Sequence, residues 1–202
     1  MELQDRRAAL TAAGATLSDD DAERELLRRT ATRDRDAFKT LYLAYHRRLA
    51  RFLVRMTRHY DVAEEIINDT MWVVWQRASE FRGSSRVSTW IMGIAYRRAL
   101  KALRRASMQA RWIDLDADAD YQDYGATVDG ADRRQLVARA LAELPLEQRL
   151  VLEFTYYLGH SCSEIAEIMD CPVNTVKTRM FHARRKLRTL LPALAGTGGG
   201  RA

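Results

Sequence analysis

From Val173 to Arg188 the chain reads VNTVKTRMFHARRKLR, with six cations and no carboxylate. A merely solvated helix ordinarily mixes both signs, because opposite charges at i,i+4 stabilise it. A helix charged on one side only suits a polyanion. At about 100° per residue, Val176, Met180, Ala183 and Leu187 share one face and are expected to pack inward. Asn174, Thr178, Phe181, His182 and Arg185 lie opposite, with Lys177, Arg184 and Arg188 on a flank. Such a helix, entering the DNA major groove N-terminus first, brings Lys177, Thr178, Phe181 and His182 to base edges. Lysine donates to guanine O6 and N7, and threonine or phenylalanine touches a thymine methyl. Arg179, Arg184, Arg185, Lys186 and Arg188 are expected on phosphates, which anchor without specifying. Asn174 and Thr175, at the entering end, complete the duplex-facing set.

A second basic segment precedes it. Arg82 to Arg111 holds eight cations and no acid. Aromatic and cationic side chains side by side suit an unpaired strand, since bases stack on rings while cations follow phosphates. The candidates are Arg82, Ser84, Ser85, Arg86 and Ser88 in a Gly/Ser-containing loop, then Trp90, Arg97, Arg98 and Lys101 on the helix that follows. Taken alone, Trp90 fits a core position better than a stacking platform.

Between the two basic segments, Asp114 to Asp132 carries seven aspartates and no cation. Asp114, Asp116, Asp118 and Asp120 alternate with apolar or small residues and lack the DxDxDG spacing of a calcium loop, so a solvated linker is expected rather than a metal site. Cys162 and Cys171 have neither CxxC spacing nor a histidine pair, which argues against zinc and for two reduced thiols. No nucleophile–base pair and no phosphate-binding glycine loop occurs, so neither catalysis nor a cofactor is expected.

Helices must position these residues. Three prolines and ten glycines in 202 residues disfavour an all-β fold. Ser18 is placed to cap DDDAERELLRRT, and Asp61 to cap VAEEIINDTMWVVWQ. Phe38, Leu41, Tyr45, Leu49, Phe52 and Met56 repeat at three and four, a buried stripe. Ile67, Met71, Val74 and Ala78 form another, leaving Glu65, Asn68, Asp69 and Trp72 off it. Ile91, Ile94, Ala95, Ala99 and Ala102 can pack inward in the basic helix. Further on, Pro145 starts a helix that Gly159 ends, Ser161 and Glu164 make a capping box, Asn174 caps the final helix and Pro192 ends it. A short capped helix, a tight turn and a longer basic helix form a helix-turn-helix. The expected fold is all-α, with two small helical domains: 1–17 loose, 18–106 the first domain, 107–130 the acidic linker, 131–194 the helix-turn-helix domain and 195–202 a flexible tail. No run of about 18 apolar residues and no N-terminal apolar signal region is present, so a cytoplasmic location is expected.

DRDAFKTLYLAYHRRL, AEEIINDTMWVVWQ, FRGSSRVSTWIMGIAYRRALKALRR and SEIAEIMDCPVNTVKTRMFHARRKLR, in this order, resemble the successive blocks of the extracytoplasmic-function sigma factors, minimal promoter-recognition subunits of bacterial RNA polymerase. The resemblance covers about residues 20–105 and 131–191. It implies a first domain that grips core RNA polymerase and opens the minus-ten element, and a second that reads the minus-thirty-five element in duplex DNA. It also implies polymerase contact by Glu65, Asn68, Asp69 and Trp72, capture of a flipped minus-ten base by the loop 82–89, and a cognate anti-sigma factor as partner. Four positions depart from the family's pattern: Ser84 stands where an acid is frequent, Val87 where an aromatic is common, Arg97 for a frequent asparagine and His182 for a frequent arginine. The residues themselves leave two alternatives. One is a free-standing helix-turn-helix regulator, which would bind its site without polymerase. The other is an enzyme with a metal on the aspartates, which Asp→Asn changes would inactivate.

Overall fold

The computed structural model describes residues 19–110 and 131–196, and every regular element among them is helical. The Ser18 cap, the aspartates of the linker from 111 to 130 and the tail from 197 lie outside the described residues. Helix α1 spans Asp19–Ala31, α2 Arg35–Thr57 and α3 Tyr60–Arg77. A 3-10 turn at Ala78–Glu80 and a short loop lead to α4, Val87–Ala110. Then come α5, Ala131–Ala142, α6, Leu146–Tyr156, α7, Cys162–Met169, and α8, Val173–Gly196.

Local chemistry explains most boundaries. Asp34 caps α2, accepting from the Asp36 and Ala37 amides at 2.9 and 3.0 Å. The Ala37 amide, then the Arg29 guanidinium at 2.6 Å, hold its carboxyl below the usual range. Arg58, left-handed at φ 62°, ends the helix by donating its N–H to the Val54 carbonyl. The capping box at Ser161 forms as the spacing predicts.

Several boundaries differ from expectation. The cap of α3 is His59, whose extended backbone accepts from the Ala63 amide; Asp61 lies inside the first turn, where its charge still suits the dipole. The Pro172 carbonyl accepts from Thr175 and Val176, which makes Asn174 a first-turn residue rather than the cap. Pro192 sits within α8 instead of ending it. Proline removes one N–H four residues beyond Arg188, and both residues are exposed, so water can satisfy the freed carbonyl. Helix α4 also begins two residues earlier than the loop 82–88 implied, and it runs past 107 because SMQA holds no helix breaker.

The first helical module packs α2 against α1 and α3, and α4 against α2 and α3. Leu41, Tyr45, Leu49, Phe52 and Met56 from α2 meet Ile67, Met71, Val74 and Ala78 and the inward row Ile91, Ala95 and Ala99. The second module packs α8 across α5, α6 and α7 around Leu150, Phe154, Ile165, Val176, Met180 and Ala183. The modules also touch, α4 on α7 and α2 on α6. No described helix is long and apolar enough to cross a membrane.

Candidate nucleic-acid interface

In the helix-turn-helix, the Ser161 hydroxyl accepts from the Glu164 amide at 3.3 Å, while the Glu164 carboxylate accepts from the Ser161 amide at 2.8 Å. Asp170, left-handed at φ 50°, closes α7 and sends the chain through Cys171 and Pro172 into α8. Burial of Val176, Met180 and Ala183 then fixes the rotation of α8. Asn174, Lys177, Thr178, Phe181, His182, Arg184 and Arg185 are left exposed, and Thr175 half-buried. Phe181 is 62% exposed with its ring edge-on to His182 at 5.5 Å, a large apolar side chain left mostly uncovered by the described residues.

Three cations of this helix are engaged elsewhere in the module. Arg179 is half-buried, forms an ion pair with Glu147 of α6 and points another nitrogen at Cys171 Sγ, 3.5 Å away. It therefore ties α8 to α6 instead of standing free for a phosphate. Lys186 donates to the Glu143 carbonyl at 2.5 Å. Arg184 stays on the surface, where it donates to the Tyr156 hydroxyl at 2.7 Å and lies 5.7 Å from the tyrosine ring centre. The sequence reading missed Tyr156 and Glu147, which are distant in the chain and carry no periodic signal.

The second basic surface is built by α4 and the loop before it. Arg82 and Ser84 are exposed, Ser85 is half-buried and Arg86 exposed. Ser88 falls in the first turn of α4 and is only 8% exposed, so its side chain faces the protein more than solvent. The loop is held from α1: Arg24, paired with Asp20 at 2.8 Å, donates to the carbonyls of Gly83 and Ser85 at 3.3 and 3.0 Å and lies over the Phe81 ring. Arg24 is a third residue missed in the sequence. Trp90 is half-buried against Phe81, ring centres 5.5 Å apart, and flanks a cleft of about 610 Å³ that Arg82 and Arg97 also line. It is thus both a packing residue and a cleft wall. Arg97 and Lys101 are exposed farther along α4.

Arg98 donates to Asp69 of α3 at 2.5 Å, which links this basic face to the polar face of α3. On that face Glu65, Asn68 and Asp69 are exposed and Trp72 is 57% exposed. Asn68 accepts from the Tyr42 hydroxyl at 3.2 Å. An exposed tryptophan amid acidic and polar side chains has the composition of a protein-binding patch. No group of histidine, cysteine, aspartate and glutamate side chains among the described residues could hold a metal ion.

Two family models match the chain in this order: Sigma-70 region 2 over residues 41–108 and Sigma-70 region 4 over residues 134–187. The ECF RNA polymerase sigma factor SigM of Mycobacterium tuberculosis is 32% identical over 170 residues, 84% of this chain and 85% of that one. The ECF RNA polymerase sigma-E factor of Escherichia coli K12 is 28% identical over 182 residues, 85% and 95% of the two chains. Two solved structures share the fold at 24% identity. One is the sigma factor RpoE in complex with the anti-sigma factor NepR from Bartonella quintana, with a TM-score of 0.64 over 77% of this chain and 96% of that one. The other is CnrH in complex with the cytosolic domain of CnrY, with a TM-score of 0.63 over 86% and 99%.

Proposed function

This chain belongs to the extracytoplasmic-function sigma factors, and from that premise we propose how its surfaces divide the work of directing core RNA polymerase to a promoter. The second module reads duplex DNA at the minus-thirty-five element: Asn174, Thr175, Lys177, Thr178, Phe181 and His182 toward bases, Arg184 and Arg185 toward phosphates. Arg179 contributes by bracing the helix through Glu147. The first module meets the minus-ten element with Arg82, Ser84, Ser85, Arg86, Trp90, Arg97, Arg98 and Lys101. Ser88 acts there by shaping the helix start. Core polymerase docks on Glu65, Asn68, Asp69 and Trp72 of α3. The chain carries out no catalysis of its own, works in the cytoplasm and is held in check by an anti-sigma factor.

The observation that carries this reading is the exposed row Lys177, Thr178 and Phe181 on a helix whose opposite face, Val176, Met180 and Ala183, is buried. Run-off transcription with purified core polymerase and a promoter library tests it. Start sites that appear only with this protein are expected; identical start sites without it count against it.

A further inference from the structure

The segment proposed to meet the minus-ten strand has few anchors of its own. Arg82, Gly83, Ser84 and Arg86 are exposed, and the backbone turns left-handed at Gly83. A polar loop of this kind can take many shapes unless something outside it decides. Here that something is α1. This helix packs on the 3-10 turn and on α4, and burial of Leu27 and Thr30 fixes its rotation. Arg24 stands within one turn of Leu27. Asp20, one turn earlier, accepts from Arg24 Nε at 2.8 Å, and acid before base at i,i+4 is the favourable order on a helix.

With Nε held, the two outer nitrogens form a planar fork aimed at the loop. Nη1 donates to the Gly83 carbonyl at 3.3 Å and Nη2 to the Ser85 carbonyl at 3.0 Å. These carbonyls bracket Ser84, whose own side chain stays exposed. The same guanidinium lies 5.7 Å from the centre of the Phe81 ring, and that ring packs against Trp90, a wall of the 610 Å³ cleft. One side chain thus braces both halves of the strand-facing surface. Lysine could keep the charge and the pairing with Asp20, but it has no rigid fork to hold two carbonyls at once.

We infer that Arg24 is a positioning residue for minus-ten selectivity: by clamping the Gly83 and Ser85 carbonyls it sets how Ser84 is presented to a base of the unpaired strand. This rests on the strand-binding role proposed for the loop. Arg24 is half-buried and its nitrogens are spent on protein groups, so it acts through the loop and not as a phosphate contact. Losing the clamp therefore relaxes discrimination between bases rather than attraction to the backbone.

The test is run-off transcription by core polymerase reconstituted with the full chain, on a promoter library randomised at both elements, with a thermal melt of each variant. Arg24→Lys is expected to relax base preference at a single minus-ten position about three- to tenfold, the worth of one or two ordinary hydrogen bonds. Minus-thirty-five preference stays as in wild type. Ser84→Ala relaxes the same position, and the two changes together relax it no further than either alone, because one acts through the other. Gly83→Ala leaves Arg24 in place but sets a methyl 3.0 Å from its Nη1, so it should relax that position too and decides the matter if Arg24→Lys lowers the melt. Equal loss of output on every promoter with preference intact makes Arg24 purely structural and overturns the inference, as does full additivity with Ser84→Ala. Relaxed preference in Ser84→Ala beside wild-type preference in Arg24→Lys and Gly83→Ala also overturns it and leaves the strand-binding reading standing. If neither Ser84→Ala nor Arg97→Ala alters minus-ten preference or output, the strand-binding reading itself fails, and the inference with it.

Discussion

Tyr156, the last residue of α6, accepts a hydrogen bond from Arg184 on α8 at 2.7 Å, and its ring lies beside the same guanidinium. Both side chains are exposed, so the contact does not build the core. It orients a cation on the face proposed to read duplex DNA. Arg184→Ala is expected to remove one phosphate contact and reduce the salt slope of minus-thirty-five duplex binding by about 0.9. Tyr156→Phe keeps the cation and should leave that slope unchanged while weakening binding about two- to fivefold, as loss of one modest hydrogen bond predicts. Fluorescence anisotropy across a salt series measures both; a Tyr156→Phe slope reduced like that of Arg184→Ala would rule out the positioning role.

Lys177 and Arg179 are two residues apart and are expected to behave differently. Lys177 is exposed on the row proposed to face bases, and Lys177→Ala should cost about 1–3 kcal/mol at a single base position with no loss of stability. Arg179 is tied to Glu147, and Arg179→Ala should lower unfolding stability by about 1–2 kcal/mol. Glu147→Gln should reproduce part of that loss without touching DNA. Urea unfolding, together with binding to a panel of single-base operator variants, separates the two. Equal selectivity losses from both substitutions would contradict the assignment.

For the proposed docking face, Asn68→Ala with Asp69→Ala should weaken binding to core polymerase about tenfold or more, as loss of central interface residues does. Both residues are exposed, and the Arg98–Asp69 pair is a surface pair, so the stability change should stay within about 1 kcal/mol. Titration of labelled protein with core polymerase, alongside a thermal melt, checks both halves. Unchanged affinity would remove α3 as the docking surface.

Stability should depend on pH through two buried groups of opposite sense. Burial raises the Glu153 carboxyl from 4.5 to about 7, only partly offset by Arg55 and Arg149. Between those values the native chain keeps a proton that the unfolded chain has released, so this group's contribution falls as pH rises. Burial lowers His160 from 6.5 to about 4, so its contribution falls as pH drops through that window. Glu153→Gln removes the first effect alone. The stability gain over wild type should be near zero at the acid end and grow to on the order of 3 kcal/mol above pH 7. Urea titrations at several pH values give the difference, and a gain that is the same at every pH would contradict the assignment.

The core stripes were legible because burial follows a period close to 3.6 residues: Ile67, Met71, Val74 and Ala78 are all buried, as are Val176, Met180 and Ala183. The capping box was legible because Ser161 and Glu164 are three residues apart. Caps made by backbone rather than side chain were not. His59 and Pro172 act through their carbonyls, and any residue has one, so the more familiar Asp61 and Asn174 drew the assignment. Arg24 with Gly83, Glu147 with Arg179, Tyr156 with Arg184 and Arg86 with Glu164 were hidden for another reason. Each joins positions far apart in the chain, and only the packing of helices decides which long side chains meet. The sequence therefore showed which surfaces are basic without showing which cations are already engaged.

Arg24 holds the carbonyls on either side of Ser84, and Gly83 sits at φ +72° where an added Cβ would lie 3.0 Å from that arginine. The shape of the segment is thus dictated from a helix nearly sixty positions upstream. Grafting RGSSR alone onto a relative would carry the letters but not their presentation, and a hybrid keeps the shape of this loop only if the helix that bears Arg24 travels too.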